Sequence, residues 1–245
     1  MSQPAGRGPW LLVSDVDDTL TGDRAALERL WAAIRRHPQR LRLALNSSRP
    51  AASVDATLAR EFPADFAPDA IITGMGTEIR IGGEWLSDWS ARFAAWPAEA
   101  IFALVTGMGF APHPAEFLTA GKLSFAVPDA GARDRVLQAL AAAGLPVRAV
   151  FSGQSDLDLL APGAGKDAAA RFLAERLGIA PQRMVVAGDS GNDLALFDVG
   201  FRAIAVGNAR RELIEAMPRA KSYRARAPHA AGVLEGLVAL GILPG

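Results

Sequence analysis

Three carboxylates stand within four positions directly after an apolar run near the start of the chain. The run Trp10 to Val13 is typical of a short buried strand, and it leads to Asp15, Asp17 and Asp18. Because close like charges repel one another and resist burial, we expect a cation beside them. Hard divalent cations such as Mg²⁺ prefer carboxylate and carbonyl oxygens. An Asp-rich turn is the ordinary alternative, and both interpretations of this stretch stay open.

Three further polar motifs follow predicted strands or open a predicted helix. Ser47-Ser48-Arg49 comes after the apolar run 41–45, Lys166 opens a helix, and the stretch 188–193 (Gly-Asp-Ser-Gly-Asn-Asp) follows the apolar run 183–187. Taken singly they are typical of a helix cap, a solvated lysine and a loop turn. Together they indicate one site, because ligands of open α/β sheets bind at the carboxyl ends of the strands.

The combined residue types are sufficient for phosphoryl transfer through a covalent aspartyl phosphate. A carboxylate can serve as the nucleophile, and Asp17 would protonate the leaving oxygen and later activate water. The Ser47 hydroxyl, nearby backbone N–H groups and the Lys166 ammonium would bind the phosphate. Asp15 and Asp189 would hold Mg²⁺, together with a main-chain oxygen near Asp17.

The elements that must position these residues alternate between strand and helix at both ends of the chain, which predicts a doubly wound parallel sheet. The pattern changes after Gly74-Met75-Gly76. A hairpin over 77–86 is followed by helices near 97–108 and 133–143 and by strands near 122–127, 147–152 and 157–160. We therefore predict a catalytic core formed by residues 1–81 and 161–245, with an inserted α+β cap over 82–160.

Composition excludes several classes of protein. The 245 residues contain 26 basic and 26 acidic side chains, which is no footprint for nucleic acid. The absence of cysteine excludes disulfides, thiolate metal sites and cysteine nucleophiles. His37, His113 and His229 are interpreted as surface or cap residues. No apolar run reaches the length of a membrane span, and the Gly/Pro-rich residues 1–9 lack the apolar core of a signal peptide, so we expect a cytoplasmic protein.

The four motifs resemble those of the haloacid dehalogenase superfamily of phosphatases over the whole chain. The resemblance is strongest to the sucrose-phosphate phosphatase branch, whose cap is inserted between the second and third motifs. The stretches that carry it are 14–20 (Ser-Asp-Val-Asp-Asp-Thr-Leu), 76–79 (Gly-Thr-Glu-Ile), 156–160 (Asp-Leu-Asp-Leu-Leu), 188–193 and 206–209 (Val-Gly-Asn-Ala). This resemblance implies a Rossmann-like core, dependence on Mg²⁺ and a mobile α/β cap.

The resemblance also implies a role for each matching residue. It makes Asp15 the nucleophile and Asp17 the acid/base. The implied phosphate ligands are Ser47, Ser48, Lys166 and Asn192, with Asn192 contacting either phosphate or substrate. The implied metal ligands are Asp15, Asp17, Asp189 and Asp193, with Asp193 acting through water. The implied sugar ligands are Glu78, Lys122, Gln154, Asp156 and Asp158.

Two positions depart from the pattern of the relatives. Ser48 stands where they usually have glycine, and Asp18 stands where the branch often has asparagine. Neither change removes a catalytic group. Ser48 adds a side chain beside the expected phosphate.

The leading hypothesis is a Mg²⁺-dependent phosphatase for a phosphorylated disaccharide, sucrose 6-phosphate first. The alternatives are a phosphatase for mannosylfructose, glucosylglycerol or mannosylglycerate phosphate, a sugar phosphomutase, and a non-enzymatic module that binds sugar phosphates. The expected partners are a small sugar phosphate and the glycosyltransferase that makes it, with no nucleic acid and no membrane, and we expect a monomer.

Overall fold

The computed structural model describes residues 8–152 and 155–245. In these ranges the strands are β1 (Trp10–Ser14), β2 (Leu41–Asn46), β3 (Ala70–Thr73), β4 (Glu78–Ile81), β5 (Glu84–Trp85), β6 (Lys122–Ala126), β7 (Arg148–Ser152), β8 (Asp156–Leu160), β9 (Met184–Gly188), β10 (Arg202–Ala205) and β11 (Ser222–Arg224). The α-helices are α1 (Arg24–Arg36), α2 (Ala51–Glu61), α3 (Ser87–Ser90), α4 (Ala98–Gly107), α5 (Ala130–Ala142), α6 (Lys166–Arg176), α7 (Leu194–Val199), α8 (Arg211–Ala216) and α9 (His229–Ala239).

The large sheet has the strand order β11-β10-β9-β1-β2-β3-β4-β5 in the described part of the chain. The six strands from β11 to β3 pair in parallel, and the hairpin of β4 and β5 adds an antiparallel edge. Strand β1 lies between β2 and β9, with Ser14 opposite Leu45 on one side and Ala187 on the other. The carboxyl ends of these three strands therefore meet at one place.

Both faces of the large sheet are covered, as expected for parallel strands. Leu11 and Val13 of β1 point into one apolar cluster, whereas Leu12 belongs to the cluster on the other face. On that second face α1 packs against α9. Asp23 caps α1 by accepting a hydrogen bond from the N–H of Ala26, which begins the helix close to the end of β1.

A second, antiparallel sheet has the order β6-β8-β7, and α4 and α5 pack together beside it. Two chain segments cross where this unit meets the large sheet. A Cβ atom on Gly76 would lie 2.2 Å from the carbonyl oxygen of Gly165, so the crossing requires glycine at residue 76. Both glycines have positive φ, +86° at Gly76 and +134° at Gly165, which glycine adopts without steric cost.

The predicted fold class is confirmed: a largely parallel sheet with helices on both faces, accompanied by a small α+β unit. The assignment of residues 82–160 to a cap domain stays a prediction, and within that range β5 pairs with β4 in the large sheet. Two short elements, α3 and β11, were not expected. In the part of the chain that is described, no helix is long and apolar enough to cross a bilayer.

Candidate active site

The polar motifs that follow β1, β2 and β9 meet at the carboxyl edge of the large sheet. The N–H of Asp15 donates to the carbonyl of Ala187 in β9 (3.0 Å), and the N–H of Ser47 donates to the carbonyl of Ile72 in β3 (2.9 Å). These main-chain contacts continue the hydrogen-bond pattern of the sheet past the strand ends. They fix the backbone positions from which the side chains of Asp15 and Ser47 project.

Lys166 is the centre of the cluster. Its Nζ lies 2.7 Å from Oδ1 of Asp15, 2.7 Å from Oδ1 of Asp193 and 3.0 Å from Oδ1 of Asn192. The lysine side chain is only 1% exposed. Helix α6 begins at Lys166. The main-chain carbonyl of Lys166 accepts a hydrogen bond from Nδ2 of Asn46 (3.0 Å), so the end of β2 is bound to the start of this helix.

Asp193 shapes the loop after β9 as well as pairing with the lysine. Its Oδ2 accepts hydrogen bonds from the N–H groups of Asp189 (3.1 Å) and Ser190 (3.3 Å). A Cβ atom on Gly188 would lie 2.5 Å from the same oxygen, so glycine is needed there for the carboxylate to turn back on the loop.

The carboxylates of Asp15, Asp189 and Asp193 form a group whose ligand oxygens all lie within 4.8 Å of one another, and all three residues are buried. Burial raises the pKa of Asp15 to about 8, against the attraction of Lys166. Burial and the neighbouring Asp193 raise the pKa of Asp189 to about 6. Negative charge thus exceeds what Lys166 neutralises, and the donor set is all oxygen, so these residues fit a hard divalent cation.

Asp17, the predicted acid/base, lies outside this buried group. Its side chain is 49% exposed, and its Oδ2 lies 2.8 Å from Nε of Arg49. Arg49 also donates from Nη1 to the hydroxyls of Ser53 (3.1 Å) and Thr57 (3.0 Å) on α2. The pair therefore ties the loop after β1 to the loop after β2.

The predicted phosphate-binding loop after β2 contains an internal hydrogen bond. The Oγ of Ser47 accepts a hydrogen bond from the N–H of Arg49 (3.1 Å), and Ser47 is fully buried. The carbonyl oxygen of Ser48 accepts a hydrogen bond from Nζ of Lys122 (3.0 Å). Lys122 stands on β6 of the smaller sheet, so this contact joins the predicted cap to the phosphate loop.

A cavity of about 280 Å³ lies between the smaller sheet and this loop. Its lining residues are Ser48, Arg49, His113, Phe117, Lys122, Ser124, Ser152, Asp156 and Asp158. Asp158 is nearly buried and lies 3.4 Å from Nζ of Lys122, and it accepts a hydrogen bond from Oγ of Ser124. The cavity therefore presents charged and hydroxyl groups of the kind that bind sugar hydroxyls.

The other predicted sugar ligands are distributed differently. Asp156 lines the cavity and lies 3.1 Å from Nε2 of His113. Glu78 is not among the lining residues, and its Oε2 accepts a hydrogen bond from the Thr73 hydroxyl (2.8 Å). Gln154 lies outside the described residues. These assignments stay predictions.

His37 ends α1, and His113 and His229 are partly exposed, in keeping with their interpretation as surface or cap residues, but the latter two also make contacts that were not expected. His113 lines the cavity, and His229 lies against the loop after β1, with Nδ1 3.0 Å from the carbonyl oxygen of Asp18. The sequence carried no signal for either contact, because each brings together segments far apart in the chain. Asn46 was missed for the same reason.

Comparisons with known proteins match this chain over nearly its whole length. The family model described as sucrose-6F-phosphate phosphohydrolase matches residues 8–240. The mannosylfructose-phosphate phosphatase of Agrobacterium fabrum is 32% identical, over 96% of this chain and 98% of the relative. A probable sucrose-phosphatase 3a of Arabidopsis thaliana is 30% identical, over 100% of this chain but only 62% of the relative.

Among solved structures, the sucrose-phosphatase of Synechocystis sp. PCC6803 in complex with sucrose and phosphate superposes with a TM-score of 0.87. It is 29% identical, and the match covers 98% of this chain and 100% of that one. The resemblance extends to both sheets, since nearly all of each chain is included.

Proposed function

Because this chain belongs to the sucrose-6F-phosphate phosphohydrolase family, we propose that it is a Mg²⁺-dependent phosphatase that hydrolyses a phosphorylated disaccharide, sucrose 6-phosphate first. One observation carries the proposal: Lys166 contacts buried Asp15 and Asp193 at the joined ends of parallel strands, and a cavity whose lining includes charged and hydroxyl side chains lies on the smaller sheet. The Lys166 ammonium would neutralise charge on the phosphoryl group, and the cavity would hold the sugar.

In the first step, an oxygen of Asp15 attacks phosphorus, and the bond from phosphorus to the sugar oxygen breaks. Lys166, already in contact with the Asp15 carboxylate, neutralises charge on the transferring group. Asp17 gives its proton to the departing sugar oxygen. The Arg49 contact holds Asp17 at the rim of the site, where a leaving sugar would lie.

In the second step, Asp17 takes a proton from water as that water attacks phosphorus. The bond from phosphorus to the Asp15 oxygen breaks, and free phosphate and the ionised Asp15 carboxylate result. Asp17 is half exposed, so water reaches it without rearrangement of the buried cluster. The same group thus acts as acid and then as base.

Asp15, Asp189 and a main-chain oxygen near Asp17 would hold the Mg²⁺, with Asp193 supporting them. When bound, the ion supplies positive charge for the phosphoryl oxygens. Ser47, Ser48 and Asn192 would bind the phosphate with Lys166. The oxygen-only donor set and the excess of buried negative charge described above support this assignment.

Lys122, Asp156 and Asp158 would bind the sugar hydroxyls from the smaller sheet, joined by Gln154 and, from the rim of the large sheet, by Glu78. A carboxylate or an ammonium can bind a pair of adjacent hydroxyls through charge-assisted hydrogen bonds. Because Lys122 also donates to the carbonyl of Ser48, the sugar and phosphate sites would share a wall.

The second candidate is mannosylfructose phosphate, favoured by the near full-length similarity to the Agrobacterium fabrum enzyme. A panel of sugar phosphates with Mg²⁺ tests both candidates through phosphate release. The proposal expects a disaccharide phosphate to have the highest kcat/KM. Formation of an isomeric sugar phosphate without phosphate release would instead indicate a mutase, and binding without turnover of any member would indicate a non-enzymatic module.

We expect the substrate to be the sole obligatory partner and the glycosyltransferase that makes it to be a second, non-obligatory one. We expect a cytoplasmic monomer. Sedimentation of the purified protein tests the oligomeric state. Co-sedimentation with that transferase tests the second partner.

A further inference from the structure

The turn that carries Asp17 contains a residue with a left-handed backbone conformation. In the loop between β1 and α1, the N–H groups of Leu20 (2.9 Å) and Thr21 (3.0 Å) both donate to the carbonyl of Val16. Asp18, the residue after the predicted acid/base, has a φ of +56°. This left-handed conformation is uncommon for residues other than glycine, and aspartate is among the few that adopt it.

Two side chains from outside the turn contact the carbonyl oxygen of Asp18. Nδ2 of Asn208, in the loop after β10, donates to it at 2.7 Å. Nδ1 of His229, the first residue of α9, lies 3.0 Å from it. A carbonyl oxygen has two lone pairs, so the two contacts fill its acceptor capacity. The contact from His229 requires the proton on Nδ1.

These two side chains are also bound to each other. The N–H of His229 donates to Oδ1 of Asn208 (2.8 Å), which fixes the amide with its Nδ2 towards Asp18. His229 is itself left-handed, with a φ of +50°. A Cβ atom on Gly22 would lie 2.6 Å from Cε1 of the histidine, so the ring packs closely against the chain just beyond the turn.

We propose that Asn208 and His229 are positioning residues that hold the carbonyl of Asp18 and thereby aim the carboxylate of Asp17 at the leaving oxygen. A helix-capping role for Asn208 explains the contact with the His229 N–H. It does not explain the donation to a carbonyl 190 residues away in the chain. The inference rests on the proposed function, because it requires Asp17 to be the proton donor.

The test is a double-mutant cycle between Asn208→Ala and Asp17→Asn. The measured quantity is the rate at which the leaving alcohol, the sugar or 4-nitrophenol, is released in a single turnover with enzyme in excess. This rate reports the first step alone. The two probes are 4-nitrophenyl phosphate, whose leaving group needs no proton, and the faster of sucrose 6-phosphate and mannosylfructose phosphate. The Asp17→Asn variant should slow the sugar phosphate and spare the aryl phosphate.

The expected result is that Asn208→Ala lowers the single-turnover rate on the sugar phosphate about tenfold and the rate on the aryl phosphate less than about threefold. In the Asp17→Asn background it should cause no further loss of rate. Additive losses, or equal losses on both probes, would overturn the inference. If Asp17→Asn itself does not distinguish the probes, the acid role in the proposed function fails instead, and the inference fails with it.

Three further variants separate positioning from folding. Asn208→Asp keeps the acceptor for the His229 N–H but loses the donor to Asp18, so it should repeat the loss on the sugar phosphate. His229→Asn tolerates the positive φ but removes the ring, and the same selective loss is expected. His37→Asn, at the far end of α1, is the matched control and should leave both probes unchanged. Retention of the full sugar phosphate rate by Asn208→Asp would contradict the proposal.

Discussion

The ammonium of Lys166 lies 2.7 Å from the carboxylate of Asp15, and both side chains are almost fully buried. Burial raises the pKa of Asp15 to about 8 although the lysine attracts its charged form. Burial also opposes the charge on Lys166, but Asp15 and Asp193 outweigh it and hold the pKa of Lys166 above its ordinary value. The pair therefore stands in an environment that favours the charged lysine and disfavours the charged aspartate.

The contribution of Asp15 to the stability of the metal-free protein should consequently fall as the pH rises. With the pKa of Asp15 raised from 3.8 to about 8, the folded state keeps a proton that the unfolded state has lost, so the free energy of unfolding decreases across this interval. In the presence of a chelator, the Tm of the parent should fall between about pH 5 and pH 8 relative to that of Asp15→Asn. A parallel dependence in parent and variant would contradict the raised pKa.

Activity should disappear when divalent metal is removed and return with Mg²⁺. The ligand oxygens of Asp15, Asp189 and Asp193 lie within 4.8 Å of one another, and their mutual repulsion is relieved by a cation. Ca²⁺ should substitute poorly, because its larger and more flexible coordination shell disturbs in-line geometry. Phosphate release in titrations with each ion measures this. Undiminished activity in excess chelator would rule out the metal site.

Lys122 should contribute to substrate choice and not to the chemical step. Its Nζ contacts the carbonyl of Ser48 at 3.0 Å, and Lys122 lines the cavity. The variant Lys122→Met keeps the aliphatic stem and removes the charge. Loss of a charge-assisted hydrogen bond of about 1–3 kcal/mol should raise KM for the disaccharide phosphate about fivefold to 150-fold. Activity on 4-nitrophenyl phosphate, which has no sugar hydroxyls, should stay within about threefold of the parent.

Lys221→Met is the matched control for this experiment. Lys221 stands just before β11, the edge strand of the large sheet at the end of the strand order away from β5. Its Nζ donates to the carbonyl of Asp198 (2.7 Å). Its KM values should equal those of the parent. Equal losses of Lys122→Met on both substrates, with Tm unchanged, would assign Lys122 to the chemical step. A large drop in Tm would assign it to the fold, since Asp158 would then lose its buried partner.

The arrangement of the strand ends could be predicted because it depends on local signals. Apolar runs that end in Asp15, Ser47 and Asp189 identify the strands, and the pairing of parallel strands brings their carboxyl ends together. Lys166 was included because it opens a helix in the same alternation. Each of these inferences needs only a short window of sequence and one rule of topology.

The contacts that support these groups could not be predicted in the same way. Asn46 binds the main chain of Lys166, and Asn208 and His229 bind that of Asp18. Each contact joins segments more than a hundred residues apart, and an asparagine or histidine in a loop has no periodicity to reveal it. Strand β11 was missed because its three residues, Ser-Tyr-Arg, are largely polar and too short to form a pattern.

The central claim is that Asp15 is the nucleophile, and the most direct measurement is the turnover of Asp15→Asn beside that of Asp18→Asn. The control removes a neighbouring carboxylate whose side chain is 60% exposed, and asparagine tolerates its positive φ. With saturating Mg²⁺ and the best disaccharide phosphate, Asp15→Asn should lose more than about a thousandfold in kcat, while Asp18→Asn stays within about threefold of the parent. A folded Asp15→Asn protein with kcat within about tenfold of the parent would contradict the account.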